Sequence, residues 1–270
     1  MKFYILFALT FLNSSLSWSR GDMILIGGGA RPKIILTKII EVSRGKILVV
    51  GLASQSPLEA GTDMVSEFSN HGGKAELFKC LDWRNVDLPD CINQINTAGL
   101  VYFTGGDQLL LMKAFQGTKA LELLKKRFNM DLSLAGTSAG TAIMNRIMIS
   151  GQFFDDNDPN GVKAGMAEIY EGFGILKKLI VDQHFLTRKR KNRLLSTVVV
   201  NPNLVGVGID EATAIHMKNE NEFAVLGDSK VMIIDARKAE ILKDSNGYDR
   251  SKGVITTLLE SGQTYKLFSE

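Results

Sequence analysis

The sequence predicts an α/β fold, in which a mostly parallel central sheet carries helices on both faces and is followed by a β-rich C-terminal extension. In the first half of the chain, continuous apolar runs of strand length alternate with helical patterns. This alternation is typical of parallel sheets that are buried on both faces. In the second half, short strands follow one another closely, which indicates largely antiparallel pairing.

Glycine-rich turns separate most of the first-half strands from the neighbouring helices. The predicted strands there are 23–26, 46–50, 74–78, 99–103 and 132–135. The predicted helices lie near 34–43, 57–70, 85–97, 107–128 and 139–147. After Val181 and a helix near 189–199, the extension is predicted to contain strands 205–209, 213–216, 223–226 and 231–234 and a final hairpin around Ser261-Gly262.

The composition is that of a globular protein, with 270 residues, 45% hydrophobic content, 26 Gly, 5 Pro and 2 Cys. It excludes a disordered, collagenous or disulfide-scaffold protein. The formal net charge of +3 (32 Lys+Arg against 29 Asp+Glu) is too small for the broad basic face that non-specific nucleic-acid binding needs. Because no Pro- or Ser-rich linker interrupts the chain, we expect residues 20–270 to form a single domain.

The first 19 residues differ from the rest of the chain. Lys2 is the only charge before Arg20, and residues 3–12 are apolar at every position but Thr10. The apolar run is shorter than the roughly 20 residues that span a bilayer, so we interpret residues 1–19 as a signal peptide. The mature protein is then expected to be secreted or periplasmic, without a membrane segment.

The two cysteines, Cys80 and Cys91, are close in sequence. In an oxidising compartment they could form a disulfide across a short loop. Two unpaired thiols have nearly equal weight at this stage, because the sequence does not show that the two Cβ atoms approach each other.

Residues 136–140, with the sequence GTSAG, match the G-x-S-x-G pattern of a nucleophile elbow. In such a strand-to-helix turn, small neighbours expose the hydroxyl of Ser138, and the N–H of Ala139 faces a developing oxyanion. The alternative is a glycine-rich turn in which the serine only caps a helix. The predicted strand before the motif and the helix after it favour the nucleophile.

A serine nucleophile needs a base, and the sequence contains three histidines. His71 lies in a predicted surface turn and His216 alternates within a strand, so both are most simply structural. His184 follows an apolar strand, at the edge where parallel sheets place their sites, and is the favoured base. Only 46 residues separate it from Ser138, a spacing that argues against an ordinary lipase or esterase.

Two further glycine-rich segments are candidates for ligand contact. Residues 104–108 (TGGDQ) follow a strand and open a helix, so the N–H of Gly106 could reach a substrate oxygen; an ordinary turn capped by Asp107 is the alternative. Residues 27–29 (GGG) are a weak phosphate-loop signal, because Pro32 stands where the last glycine of G-x-G-x-x-G belongs. No spacing of metal ligands occurs, and neither a metal nor a cofactor is expected.

A run of cations follows His184, at Arg188, Lys189, Arg190, Lys191 and Arg193. A solvated face is the usual explanation for such a run. A pocket that binds carboxylates would also favour arginine, whose planar fork binds them through two hydrogen bonds. Because no aromatic residue interleaves the run, stacking on nucleic-acid bases is not expected.

Five motifs in this order resemble the serine peptidase family that contains the cyanophycinases and dipeptidase E. They are 103–108, 135–140, 172–176, 181–185 with the arginines behind it, and 208–211 with Thr213-Ala214. The resemblance implies a glutamine-amidotransferase-like α/β fold and an exopeptidase. It also implies a substrate, cyanophycin, which is an arginine-substituted polyaspartate that would be cleaved to β-aspartyl-arginine dipeptides.

The resemblance also implies roles for individual residues. Ser138 would be the nucleophile and His184 its base, and the substrate pocket would be lined by Gln108, Asp182, Gln183 and Arg188. The family's third catalytic residue is an acid a short distance after the serine, and this spacing favours Asp156. Asp155 and Glu168 are the alternatives.

Two other functions stay open. An aspartyl or isoaspartyl dipeptidase would use the same Ser138 chemistry on short peptides, although the chain is longer than the compact dipeptidases. A secreted non-catalytic module could bind acidic peptides through residues 188–193, but it would have no need of an exposed serine near a histidine. The expected partner is a polymeric or short aspartyl peptide, and a homodimer is compatible with the sequence.

Overall fold

The central sheet contains five parallel strands. In the computed structural model, which describes residues 20–153, 167–243 and 249–267, these strands are β1 (Met23–Ile26), β2 (Ile47–Val50), β3 (Ala75–Leu77), β4 (Leu100–Phe103) and β5 (Ser133–Thr137). Their order in the sheet is β1-β5-β4-β2-β3. The connecting helices are α1 (Lys33–Val42), α2 (Pro57–Asn70), α3 (Pro89–Thr97), α4 (Gln108–Phe115) and α5 (Lys119–Phe128). The predicted parallel α/β sheet is confirmed.

Helices cover the two faces of this sheet. Ile24 and Ile26 of β1 pack in one apolar cluster with buried residues of α1 and α2. Leu25, which points to the opposite face, packs with buried residues of α3, α4 and α5. Every residue of β1, β2, β4 and β5 is therefore buried. This burial on both faces explains why β1, β2 and β4 are continuous apolar runs rather than alternating ones.

The second half of the chain extends this sheet and adds a second one. Strands β10 (Thr213–Met217), β11 (Glu222–Gly227) and β16 (Thr264–Lys266) continue the first sheet beyond β1 by antiparallel pairing. The second sheet contains β8 (Leu179–Gln183), β9 (Val205–Ile209), β12 (Lys230–Asp235) and β15 (Ile255–Glu260). Its strands β8 and β9 are parallel and are joined by α7 (Lys191–Val200).

Four more strands form two short pairs among the described residues. They are β6 (Ile147–Phe153) with β7 (Ala167–Glu171), and β13 (Glu240–Lys243) with β14 (Asp249–Lys252). The sequence did not predict these pairs. None of the helices in the described part of the chain is long and apolar enough to cross a membrane. Residues 1–19, interpreted above as a signal peptide, lie outside the described residues.

Two predicted helices are shorter in the structure. The helix expected over 107–128 breaks at Gly117, where φ is +74°, and α5 begins again with the hydroxyl of Thr118 accepting the Leu121 N–H at 3.2 Å. The helix expected over 139–147 ends earlier, because α6 spans only Ala139–Ala142. Asn145 leaves the helix and hydrogen-bonds through its amide to the backbone N–H and C=O of Val181 in β8.

The predicted final hairpin around Ser261-Gly262 is wrong. Strand β15 pairs with β12 in the second sheet, whereas β16 pairs with β11 in the first. The turn at Gly262, whose N–H donates to the carbonyl of Val225, therefore leads the chain from one sheet to the other. Local turn chemistry is the same in both cases, and only tertiary pairing distinguishes them.

Cys80 and Cys91 form a disulfide, with Cα atoms 6.1 Å apart. Both residues are buried in the apolar cluster beneath α3 to α5. The bond closes the loop between β3 and α3, which contains a short 3-10 turn at Trp83–Asn85. The sequence left this pairing open, and the structure decides in its favour.

We expect the Cys80→Ser/Cys91→Ser double variant to lose about 2 to 3 kcal/mol of unfolding free energy, because the closed loop restricts the unfolded chain. Urea unfolding with and without reductant measures the effect. Reductant should destabilise the unmodified protein and leave the double variant unchanged. Equal sensitivity of both proteins to reductant would contradict the assignment.

Candidate active site

The carboxyl ends of β1, β5 and β8 bring Ser138 and His184 together. Ser138 follows β5 directly and His184 follows β8. Their backbone N–H groups donate to successive carbonyls at the end of β1, Ser138 to Ile26 at 3.0 Å and His184 to Gly27 at 2.7 Å. The Nε2 atom of His184 lies 2.8 Å from the Oγ atom of Ser138. This is hydrogen-bond distance for a nucleophile and its base.

Ser138 has a strained backbone, with φ +52° and ψ −110°. Such a conformation costs about 1 to 3 kcal/mol in a residue other than glycine and persists only where the surroundings fix it. The flanking glycines make the turn possible. A Cβ atom on Gly136 would lie 2.2 Å from the carbonyl oxygen of Gly140, and one on Gly140 would lie 2.2 Å from that of Phe103. The G-x-S-x-G spacing is therefore required by backbone packing.

The carboxylate that contacts His184 among the described residues belongs to Glu211. Its Oε1 atom lies 2.5 Å from the Nδ1 atom of His184. The sequence favoured Asp156 with Asp155 as an alternative, and both lie outside the described residues. Glu168, the other alternative, accepts a hydrogen bond from the hydroxyl of Tyr170 at 2.7 Å.

Sequence reasoning missed Glu211 although one of the family-like motifs ends on it. The parallel pairing of β8 with β9 could have found it, because Gln183 lies opposite Ile209 in that register. The residues that follow each strand are consequently neighbours at the same edge. His184 and Glu211 both follow this pair within two residues.

The glycines at 27–29 leave room for the side chains of His184 and Glu211. A Cβ atom on Gly28 would lie 2.3 Å from Cε1 of His184, and one on Gly29 would lie 3.0 Å from the carboxylate of Glu211. Both glycines also have positive φ, +121° and +66°. The segment is thus occupied by the protein's own side chains, which explains its glycines without a phosphate ligand.

Backbone donors lie beside Ser138. A Cβ atom on Gly105 would be only 3.5 Å from the Cβ atom of Ser138, so the loop after β4 passes close to the serine. The N–H groups of Gly106 and Ala139 have no acceptor among the residues that the structure describes. Gly106 has φ +141°, and a Cβ atom there would meet the carbonyl of Ala53 at 2.2 Å. Asp107 caps α4 through the N–H of Leu109, so the capping prediction also holds.

Asp182 and Gln183 face the protein interior. Asp182 is 1% exposed, and its carboxylate accepts two hydrogen bonds from Arg193, which is 2% exposed. Arg190 donates to the backbone carbonyl of Gln183 at 2.7 Å and also to its side-chain oxygen. Burial, together with the nearby charge of Arg193, lowers the pKa of Arg190 to about 10. The side chains of Arg190 and Arg193 therefore bind groups inside the protein and do not belong to a solvated face.

Arg188 is the exposed member of the predicted substrate-binding set. Gln108 is buried, and its Nε2 atom donates to the carbonyl of Ile149 at 3.2 Å. The Asp182 and Gln183 side chains are engaged as described above. The guanidinium of Arg188 has no hydrogen bond or ion pair within the described ranges, and the neighbouring Lys189 is exposed as well. The geometry therefore leaves the charge of Arg188 open to a ligand, whereas the predicted direct contacts of Asp182 and Gln183 are replaced by internal ones.

Asp210 fixes the turn that carries His184 and Arg188. Its Oδ1 atom accepts hydrogen bonds from the N–H groups of Leu186 and Thr187 and from the Thr187 hydroxyl, at 3.0, 2.8 and 2.9 Å. Its Oδ2 atom accepts one from the hydroxyl of Ser229 at 2.8 Å. Burial alone would raise the pKa of Asp210, but these hydrogen bonds outweigh it and hold the pKa below its ordinary value. The sequence did not single out this residue.

We expect Asp210→Ala to lose about 1 to 3 kcal/mol of unfolding free energy, because two partly buried N–H groups lose their acceptor. It should also lower kcat, since the turn that carries His184 is released. Asp210→Asn keeps the Oδ1 acceptor and should recover most of both losses. Denaturant unfolding and steady-state kinetics are the measurements.

Asp228 provides the matched control for this prediction. It is an exposed aspartate near Ser229 whose side chain makes no hydrogen bond within the described residues. Asp228→Ala should match the unmodified protein. If Asp210→Ala kept full kcat, a role in fixing the turn would be wrong.

His184 has a pKa below its ordinary value. Burial is the main cause, and the charges of Arg188 and Arg190 lower the pKa further. The carboxylate of Glu211 acts in the opposite direction without overcoming them. A lowered pKa keeps the imidazole neutral to a more acidic pH, and the neutral form is the one that can accept a proton.

We expect Arg188→Ala to raise the pKa of His184, because one positive charge near the ring is removed. A pH titration followed by NMR of the histidine ring signals measures this shift. Lys189→Ala serves as the control, since Lys189 is not among the groups that mainly shift the His184 pKa. A fall in the His184 pKa in Arg188→Ala would overturn the electrostatic explanation.

A serine hydroxyl, an imidazole and a carboxylate are joined by successive hydrogen bonds, and the backbone N–H groups beside the serine have no acceptor in the described part of the chain. On a parallel α/β sheet this arrangement defines a serine hydrolase. No group of three or more His, Cys, Asp or Glu side chains in the described part of the chain could hold a metal ion.

The chain belongs to peptidase family S51, whose family model matches residues 23–225. It is 34% identical over 225 residues to a cyanophycinase of Geminocystis herdmanii, covering 79% of this chain and 80% of the relative. It is 32% identical over 221 residues to a cyanophycinase of Trichormus variabilis, covering 78% and 73%. The protein is therefore a serine-type peptidase of the cyanophycinase and peptidase E type.

Solved structures have the same fold. The crystal structure of a peptidase from an acI-B1 Actinobacterium superposes with a TM-score of 0.66 at 20% identity, covering 92% of this chain and 98% of that one. A putative peptidase E protein from Listeria monocytogenes superposes with a TM-score of 0.54 at 17% identity, covering 78% and 100%. At these identities the likeness concerns the fold alone.

Proposed function

We propose that the protein hydrolyses cyanophycin to β-aspartyl-arginine dipeptides, with Ser138 as nucleophile, His184 as base and Glu211 as the third catalytic residue. The observation that carries the proposal is the line of contacts from the Ser138 hydroxyl through the imidazole to the carboxylate, 2.8 and 2.5 Å long. The chain's similarity to cyanophycinases over most of their length supports the substrate.

In this mechanism, Glu211 holds the imidazole with its proton on Nδ1, so that Nε2 is free to take the proton of Ser138. The Oγ atom attacks the scissile carbonyl carbon, and the N–H groups of Gly106 and Ala139 stabilise the oxyanion that forms. His184 then returns its proton to the leaving amine. Water hydrolyses the resulting acyl-enzyme by the same steps, with His184 again as the base.

Arg188 is the proposed recognition residue for a substrate carboxylate. Each unit of the polymer carries carboxylate and guanidinium groups, and an open guanidinium on the turn after His184 can pair with the former through two hydrogen bonds. We propose an indirect role for Gln108, Asp182 and Gln183, whose internal hydrogen bonds fix the wall of the pocket. Asp182 does so through its buried pair with Arg193.

We also propose that the protein acts outside the cytoplasm, as one domain over residues 20–270. The N-terminal pattern resembles a signal peptide, and Cys80 and Cys91 form a disulfide, a bond that persists mainly in oxidising compartments. Secretion would suit the use of polymer released by other cells. N-terminal sequencing that found Met1 on an active cytoplasmic protein would contradict this part.

The test is to incubate the purified protein with cyanophycin and, separately, with α- and β-aspartyl dipeptides, and to identify the products by mass. We expect β-aspartyl-arginine from the polymer. Ser138→Ala should lose activity by on the order of 10⁴-fold or more while unfolding like the unmodified protein. Glu211→Gln should lower kcat because the imidazole is no longer held in the required tautomer.

Each outcome has a definite meaning. Hydrolysis of dipeptides alone would replace the polymer by the second candidate function, an aspartyl dipeptidase. A Ser138→Ala variant with a tenth of the original activity would sink the serine mechanism. Arg188→Lys keeps the charge but loses the planar fork, so it should stay well below the unmodified protein in kcat/KM, whereas Lys189→Ala should not.

A further inference from the structure

A charged cavity lies at the end of β1 opposite to Ser138. Its volume is about 310 Å³, and its charged or titratable side chains come from three segments: the residues before β1, the end of α1 with the turn after it, and the end of β10 with the residue after it. They are Arg20, Asp22, Glu41, Arg44, His216 and Lys218. We call it the β1 amino-end cavity. Its volume is at the lower end of the range for small-molecule sites.

Both carboxylates of the cavity already have partners. Asp22 contacts Nε2 of His216 at 2.8 Å and the guanidinium of Arg44 at 3.3 Å. Glu41 pairs with Lys38 at 2.5 Å. Neither carboxylate is left without a cation, so the cavity does not attract a further positive charge.

The cations, in contrast, are in excess. The ammonium group of Lys218 makes no hydrogen bond or ion pair within the described residues, and Arg44 is half-exposed with a single contact to Asp22. Arg20 pairs with Glu220 at 3.0 Å, yet its Nε atom is buried without a hydrogen-bond partner among the residues described. A buried donor without an acceptor costs about 1 to 3 kcal/mol.

His216 adds a directional group to this excess charge. It is only 8% exposed, and its Nε2 atom is held by Asp22, so the ring cannot turn freely. The Nδ1 atom of the same ring has no partner within the described residues. Because Nε2 donates to Asp22, the Nδ1 atom can donate to an anion only when the ring carries both protons.

We propose that the β1 amino-end cavity binds a small anion that carries at least two negatively charged oxygens, either a phosphate group or a dicarboxylate. Arg44 and Lys218 would pair with the oxygens, and the Nδ1 atom of His216 would donate a further hydrogen bond when the ring is doubly protonated. The proposal does not depend on the reaction at Ser138. The Asp22 and Ile26 ends of β1 point to opposite edges of the sheet, and the cavity shares no residue with the catalytic line.

The anion would join two segments that are distant in sequence. Arg44 follows α1, whereas His216 lies in β10 and Lys218 follows that strand. A ligand that contacts both segments binds the folded state and not the unfolded one, so it should raise Tm. At its other end, β10 begins two residues after Glu211.

Isothermal titration of the purified protein with inorganic phosphate and, in a separate experiment, with succinate tests the proposal. We expect one site with a Kd of about 0.1 to 1 mM for at least one of the two anions, and a rise in Tm with the same anion. The tighter of the two identifies the oxygen chemistry. Arg44→Gln and Lys218→Ala should each weaken the affinity by about tenfold, the usual scale for removing one charge-assisted contact.

Two controls separate this cavity from other cationic surfaces. Lys79→Ala removes an exposed lysine next to β3, at the far edge of the sheet, and should leave the affinity unchanged. Arg188→Ala should also leave it unchanged. Unaltered Tm values of the unliganded variants check that they fold. The proposal would be overturned by absence of binding for both anions, by unweakened affinity in Arg44→Gln and Lys218→Ala, or by loss of binding in Arg188→Ala.

Discussion

The end of β1 is the part of the molecule on which the candidate site depends. Two successive carbonyls, those of Ile26 and Gly27, accept the N–H groups of Ser138 and His184. Both donor residues have a positive φ angle, +52° at Ser138 and +49° at His184. Such strain costs about 1 to 3 kcal/mol per residue. It persists because β1 is itself fixed on both sides, by β5 and by β10, so the two side chains meet at a position that neither turn could hold alone.

The end of β1 also explains the glycines at 27–29, whose role could not be predicted from the local sequence. Glycines at 27–29 are what a ligand-binding loop would need, because backbone can approach a phosphate only where side chains are small. Here the close approach is made by the imidazole of His184 at Gly28 and the carboxylate of Glu211 at Gly29. A glycine run at the edge of a parallel sheet therefore indicates a close contact, while the identity of the contacting group depends on the strands beside it.

Features that follow from local sequence patterns could be predicted, whereas features that depend on strand pairing could not. The parallel sheet follows from the sequence because β1, β2 and β4 are buried on both faces and consist of apolar runs. The proximity of Ser138 to His184 was predicted from the strand that each residue follows, although β5 and β8 belong to different sheets and the end of β1 brings the two residues together. Glu211 was not predicted, because its contact with His184 depends on the register of β8 against β9. The hairpin predicted at Ser261-Gly262 was wrong for the same physical reason, namely that strand partners are chosen by tertiary packing.

The cationic run after His184 shows how burial divides similar residues into different roles. Arg193 forms a buried ion pair with Asp182, and Arg190 donates a hydrogen bond to the carbonyl of Gln183. Both guanidinium groups are therefore fixed in position. Together with burial, the charges of Arg190 and Arg188 keep the pKa of His184 low in the free protein. Under the proposed function, a substrate carboxylate that pairs with Arg188 cancels part of this field. The His184 pKa then rises as substrate binds, and the imidazole becomes a stronger base at the moment when Ser138 must lose its proton.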